Sequence, residues 1–221
     1  MKIYGAGSLE DIEKCTELGV DGILTNPQGF QQYFDGEKTL EEITEAIVKA
    51  TDLPVFIQIH GGTTEELVAR ARRLHEISPQ VGFKIISDEK GFWAIKKLQE
   101  DNINCIATAL FTVSQAAVAE TVGAFGICPF FSRARDIDMD PIGILKGIKT
   151  AYENSPHPPE IIAVSLHGVG DIEEVLSVGV DAIGLRYPSL KEMMTHPLSE
   201  KAEILFGENW ANVKGEEVDY L

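Results

Sequence analysis

No stretch of this chain stays apolar for the roughly 20 residues a membrane-crossing helix needs. The start carries no leader pattern either: Met1-Lys-Ile-Tyr4 passes directly into a strand-like sequence, so export is not expected and a cytoplasmic location is. Positive charge is scarce, with 19 Lys and Arg against 35 Asp and Glu, a net charge of −16. A surface of that sign repels nucleic acid and anionic lipid, which excludes both as partners. It also repels an anionic metabolite unless a local cationic pocket receives it. Cysteine is scarce too. Cys15, Cys105 and Cys128 are odd in number and scattered, which fits neither a disulfide framework nor a metal-ligand spacing and suits a reducing compartment. No G-x-G-x-x-G follows the first strand; Gly5-Ala-Gly7 is only a fragment of such a loop, so an open doubly wound sheet is the weaker reading.

What is present is alternation. Strand patterns run over residues 1–6, 20–24, 55–59, 81–87, 103–107, 124–128, 160–165 and 180–185, with helical patterns between them. Ser8 and Thr39 are placed to cap helices, and Gly19 to end one. Pro54 and Pro79 precede strands, and Thr25-Asn26-Pro27 reads as a turn. The junctions Leu18-Gly-Val-Asp-Gly-Ile-Leu24 and Val178-Gly-Val-Asp-Ala-Ile-Gly184 echo each other, showing how a helix returns into a strand. Eight βα units in 221 residues predict a parallel sheet closed into a (β/α)₈ barrel, one domain spanning residues 1–221 with a helical C-terminal extension.

Within the fourth strand, Val81-Gly-Phe-Lys-Ile-Ile-Ser87, sits Lys84. Both faces of this strand are apolar, as in a parallel strand covered on two sides, and Lys84 shares its face with Gly82 and Ile86. Burial disfavours the charged amine and makes it nucleophilic near neutral pH, the requirement for a Schiff-base lysine. Barrel chemistry sits at the C-terminal strand ends. Those ends offer Ala6, Thr25-Asn26, Gln58 with His60, Lys84, Thr108, Phe130 with Arg133, Ser165 with His167, and Arg186. Strand parity turns Gln58 and His60, and likewise Ser165 and His167, to one side, which puts both histidines at the mouth as acid–base candidates. His75, His157 and His196 fall on helices or linkers and read as surface residues. Arg133 reads as a phosphate clamp. Arg135 reads as a surface residue of the same long loop, paired with Asp136 or Asp138.

The chain resembles the transaldolase family, close to its small class I aldolases of the fructose-6-phosphate aldolase and short transaldolase type. The resemblance rests on Thr25-Asn26-Pro27, Phe56-Ile-Gln58, Phe83-Lys84-Ile85 followed by Gly91-x-x-Ala94-Ile95-Lys96-x-Leu98, Thr108-Ala109-Leu110-Phe111 with Gln115-Ala116, Pro129-Phe130 with Arg133, Ser165, and the late Trp210. These occur in order along nearly the whole chain. The resemblance implies a Schiff base on Lys84, with Asn26 orienting substrate and lysine, Gln58 and Thr108 holding a catalytic water, and Arg133 and Ser165 binding phosphate. It implies a ketose or sugar phosphate as the small-molecule partner, with no metal and no other cofactor. It also implies a homo-oligomer of five or ten subunits, for which Phe206 and Trp210 would be apolar anchors.

The sequence departs from the family at three proton carriers. Ala6 stands where relatives carry Asp, Phe130 where the aldolases carry Tyr, and Gln58 where the transaldolases carry Glu. His167 replaces the usual Lys or Arg near the phosphate. Two readings compete with an active aldolase or transaldolase: a barrel that captures a carbonyl compound without efficient turnover, and a phosphosugar isomerase or lyase on the same scaffold.

Overall fold

The computed structural model describes residues 1–33, 38–211 and 213. It divides into two compact units, Met1–Tyr187 and Pro188–Leu221. In the first, eight parallel strands close into a barrel in chain order. They are β1 (Lys2–Ala6), β2 (Gly22–Leu24), β3 (Val55–Gln58), β4 (Val81–Ile86), β5 (Cys105–Leu110), β6 (Gly126–Pro129), β7 (Glu160–Ala163) and β8 (Ala182–Arg186). The helices between them are α1 (Leu9–Leu18), α2 (Pro27–Tyr33), α3 (Leu40–Ala50), α4 (Thr64–His75), α5 (Glu89–Glu100), α6 (Val113–Thr121), α7 (Phe131–Arg135), α8 (Pro141–Tyr152) and α9 (Val169–Val178). Two more, α10 (Tyr187–Met193) and α11 (Pro197–Trp210), follow β8. The closed barrel is what the alternation predicts. Two short helices are additions to the sequence reading: α2 occupies the segment after Asn26, and the loop carrying Ser132, Arg133 and Arg135 is the single-turn α7.

Local chemistry accounts for the helix ends. Ser8 with Asp11, Thr39 with Glu42, and Thr63 with Glu66 form reciprocal capping boxes, so each helix start satisfies its free amides from within the chain. The two echoing junctions prove to be one device used twice. Gly19 and Gly179 end their helices at φ of 85° and 74°, a left-handed turn that glycine adopts without steric cost. Two residues later the aspartates accept a backbone amide from the neighbouring strand: Asp21 from Ile3 at 2.8 Å and Asp181 from Ile161 at 2.8 Å.

Inside the barrel Tyr4, Leu24, Phe56, Ile106, Cys128, Ile162, Val164 and Ala182 form one buried cluster. The Phe56 ring stacks on Phe125 at 5.3 Å and meets Tyr4 edge-on at 6.2 Å. Gly82, opposite Phe56 in the ladder, makes room for that ring: a Cβ there would lie 2.9 Å from it and 2.6 Å from the Asn104 carbonyl. Below the rings, Lys2 and Glu160 at the first residues of β1 and β7 form an ion pair of 2.7 Å. These contacts pack the N-terminal end of the barrel, and the candidate polar positions lie at the C-terminal end.

The second unit contains α11, capped by His196 with Pro197 in its first turn. Leu198, Ile204, Leu205, Phe206 and Trp210 on this helix are exposed. Among the described residues no helix is long and apolar enough to cross a membrane.

Candidate active site

Lys84 lies on the interior face of β4, in register with Gln58 on β3 and Ile106 on β5. It is only 5% exposed, and its Nζ donates one hydrogen bond, 3.0 Å, to the carbonyl of Thr25. Burial lowers its pKa below the ordinary lysine range; Cys128 opposes the shift and Arg133 adds to it. Burial in turn pushes the Cys128 thiol up to about 11, so the thiol offers the lysine no counter-ion at neutral pH. The amine is thus buried with a dipole as its hydrogen-bond partner, and no carboxylate pairs with it among the described residues.

Thr25, just past β2, builds that partner. Its hydroxyl donates to the Phe56 carbonyl and accepts the Gln58 amide at 2.9 Å, closing the β2–β3 ladder while its own carbonyl faces the lysine. Asn26 follows, and its Oδ1 accepts the Gly29 amide at 2.7 Å, starting α2 as an N-cap does. The bond to Lys84 therefore comes from the backbone of Thr25, and Asn26 keeps its amide nitrogen for other work. Thr25 was visible in the sequence as part of a turn, but a backbone acceptor leaves no signature in the residue type.

Across β4, Thr108 is fully buried on β5, and its Oγ1 has no hydrogen-bond partner among the described residues. The ladder to β6 shifts register between Thr108 and Leu110, and Ala109 takes a φ of 56° there. A bulge of this kind turns a side chain without ending the strand. Gln58 is half-buried at the end of β3, and His60, beyond it, is exposed.

The ends of β6 and β7 form a second corner. Phe130 meets Phe111 edge-on at 5.7 Å, and the Arg133 guanidinium lies 4.8 Å from the Phe130 ring centre. Arg133 is exposed and makes no ion pair among the described residues. Ser165 takes a φ of 60°, and its carbonyl accepts the Ser132 amide at 2.8 Å, tying α7 to the end of β7. Beneath this contact Asp171 accepts the Ser132 hydroxyl at 2.5 Å, the His167 amide at 2.9 Å and Arg135 at 2.5 Å. Burial pushes the Asp171 carboxyl up, but the Ser132, His167 and Arg135 contacts together hold it below the usual carboxylate range. Arg135 also binds Glu174 at 2.7 Å, so its partners lie on α9 and not at Asp136 or Asp138. A residue 36 positions away cannot be paired with Arg135 by inspection of a loop. Ser132 and Asp171 are the structural centre of this corner, and sequence reasoning missed both. His167 itself is exposed, with its backbone in the network. His75 departs from the surface reading: half-buried, it places Nδ1 2.7 Å from the Val81 carbonyl and joins α4 to β4.

The structure thus brings Asn26, Gln58, Lys84 and Thr108 to one end of the barrel on β2 to β5, with Arg133, Ser165 and His167 on the β6 and β7 side of the same end.

Comparison with known proteins falls along the same chain. Residues 6–219 match the family model described as transaldolase/fructose-6-phosphate aldolase. A protein named "Probable transaldolase" from Thermoplasma volcanium is 30% identical over 96% of this chain and 96% of its own length. A "Probable transaldolase 2" from Listeria monocytogenes is 32% identical over 95% and 96%. Among solved structures, a thiamine phosphate pyrophosphorylase from Pyrococcus furiosus superposes with a TM-score of 0.59 at 18% identity, covering 84% of this chain and 85% of that one, a likeness of fold.

Proposed function

The chain belongs to the transaldolase/fructose-6-phosphate aldolase family, and from that premise we propose that it is a cytoplasmic Schiff-base aldolase or transaldolase, making or cleaving a C–C bond in a ketose or ketose phosphate through Lys84. The buried setting of Lys84, with one carbonyl acceptor, no carboxylate partner among the described residues and a lowered pKa, carries this reading. The neutral amine attacks the ketone carbon, the carbinolamine loses water, and the resulting iminium withdraws electrons from the neighbouring C–C bond. That bond then breaks with release of an aldehyde, leaving an enamine that is protonated or added to a second aldehyde. In this reading Asn26 orients the substrate over the lysine. Gln58 and the orphaned hydroxyl of Thr108 hold the water that enters and leaves with each imine. Arg133, Ser165 and His167 receive the phosphate, and His60 or His167 supplies the proton transfers that no carboxylate at Ala6 can supply.

Borohydride reduction in the presence of ketoses, read by intact and peptide mass, tests the assignment. An adduct on Lys84 that disappears in Lys84→Met is expected; an adduct on another lysine moves the site. Ala6, Phe130 and Gln58 favour a second reading, in which carbonyl compounds are captured with little turnover. Trapping without measurable steady-state cleavage would select it. We further propose a homo-oligomer of five or ten copies, supported by Phe206 and Trp210, exposed at 58% and 55%. A monomeric mass by sedimentation at micromolar concentration would refute the assembly.

A further inference from the structure

The barrel mouth holds a cation that the chemistry above does not use. Arg186 is the last residue of β8. Its face of the strand is set by the two alternate residues before it. Ala182 sits in the interior cluster, and a Cβ on Gly184 would lie 2.8 Å from both Leu24 Cδ1 and Val164 Cγ1 inside the barrel. Arg186 therefore leaves the strand from the inward face at the rim, where it is exposed. Its ladder partner on β1 is Ala6, which contributes only a methyl group. On the other side of β1 stands β2, and the carbonyl just past its end, Thr25, holds Lys84 Nζ at 3.0 Å. The amine and the guanidinium thus flank the end of β1, with Ala6 between them.

Among the described residues no carboxylate pairs with either group. Ala6, Asn26, Gln58, Thr108, Phe130 and Ser165, at or just beyond the other strand ends, carry none. Asp171, on the rim helix α9, is committed to Ser132, His167 and Arg135. Arg186 makes no ion pair among the described residues, in a chain whose net charge is −16. A bare guanidinium beside a small apolar residue is a receptor for an anion, and its planar fork matches a carboxylate.

We propose that Arg186 binds a carboxylate on the carbonyl compound captured by Lys84, so that the donor half of the substrate is a 2-oxo acid. This rests on the Schiff-base step of the proposed function and replaces its ketose donor with a 2-oxo acid. A 2-oxo acid carries its carboxylate directly on the carbonyl carbon. With that carbonyl condensed on Lys84, the carboxylate lies over Ala6 toward Arg186. Condensation joins Nζ to the carbonyl carbon and expels its oxygen as water, giving a protonated imine. Loss of a proton from the adjacent methylene or methyl carbon then gives the enamine that adds to an aldehyde.

The test compares pyruvate with hydroxyacetone, which share a three-carbon ketone skeleton and differ in the anionic group. Borohydride trapping on Lys84 is measured against concentration of each for the wild type, Arg186→Gln and Arg186→Lys. Pyruvate is expected to half-saturate about 10- to 100-fold lower than hydroxyacetone in the wild type, the size of one charge-assisted contact. The ratio falls toward one in Arg186→Gln and partly recovers in Arg186→Lys. Equal half-saturation in the wild type, or a preference that survives Arg186→Gln, overturns the proposal. Calorimetric titration with oxamate, an unreactive pyruvate analogue, reads the anion site without the imine. If neither ketone is trapped, the Schiff-base reading fails alone. Oxamate that binds the wild type and not Arg186→Gln still upholds the anion site, and equal binding or none removes it.

Discussion

Replacing Lys84 by Met should make the protein more stable while removing its proposed chemistry, and the gain should shrink as pH rises. The amine has three protons to donate and one acceptor, the Thr25 carbonyl at 3.0 Å, in a site where the residue is 5% exposed. Burying an incompletely bonded polar group costs about 1–3 kcal/mol by mutational measures, and methionine fills a similar volume without that cost. A gain of about 2 kcal/mol corresponds to about 4–8 °C in Tm for a chain of this size. The pH dependence follows from the lowered pKa of Lys84. The unfolded chain, with its lysine near 10.4, binds the proton more tightly than the folded one, so wild-type stability rises with pH between the folded and unfolded pKa values. The full cost is present below the folded pKa and fades toward the unfolded one. Lys84→Met has no such titration, so its advantage over wild type is largest near neutrality and smallest near pH 10. Thermal unfolding of both proteins from about pH 6 to pH 10 measures this directly. A destabilised Lys84→Met, or a Tm gap constant across that range, would show that Lys84 is not a desolvated amine and would remove the main support for its nucleophilic role.

Asp171→Ala should cost about 2–3 kcal/mol of stability, because it strips the partners of Ser132, the His167 amide and Arg135. Its KM for phosphorylated substrates should rise roughly tenfold with kcat nearly unchanged, and Asp171→Asn should recover part of the loss. The Asp171 carboxyl has a lowered pKa, so its contribution is present above about pH 4 and is lost on further acidification; a wild-type to Asp171→Asn gap unchanged at pH 3 would contradict this. Ala6→Asp puts a carboxylate in register with Arg186. Steady-state cleavage of neutral ketoses should rise at least ~10-fold, out of the 10²–10⁴ a general acid–base can give, while the preference for pyruvate falls. No response in either assay would place the proton carrier elsewhere. Gly82→Ala should lower Tm by about 4–8 °C, since its Cβ would meet the Asn104 carbonyl at 2.6 Å and the Phe56 ring at 2.9 Å; an unchanged Tm would mean the interior yields more easily than its packing indicates.

The barrel was legible because alternation is a local signal, repeated eight times, and a lysine inside an apolar strand stands out in any such reading. The two short helices were not. For α2, Asn26-Pro27 carries a helix-start signal that is equally a turn signal, and the outcome depends on the Asn26 bond to Gly29. For α7, five residues give too little periodicity, and the segment is fixed from outside by the Val164 and Ser165 carbonyls accepting the Phe131 and Ser132 amides. The extension of β5 to Leu110 passes through Ala109 at positive φ, a conformation alanine does not advertise. Candidate site residues whose proposed roles rest on side-chain type, such as Lys84 and Arg133, could be picked out of the sequence. Those that act through a backbone carbonyl (Thr25) or across a separation of 39 residues (Ser132 and Asp171) could not.

The packed floor of the barrel has a consequence for traffic. With Tyr4, Phe56 and Phe125 packed together inside the barrel and Lys2 bound to Glu160 at the first residues of β1 and β7, a compound bound for Lys84 is expected to approach from the C-terminal end. Whatever arrives that way would leave by the end it came through. An aldehyde released from the adduct proposed on Lys84 would then block the next one until it has gone. Group transfer entered and left from that one end would be forced into alternation: first product out, then second substrate in. Double-reciprocal plots at varied acceptor concentration should then run parallel, and an aldehyde product should compete directly with the aldehyde acceptor.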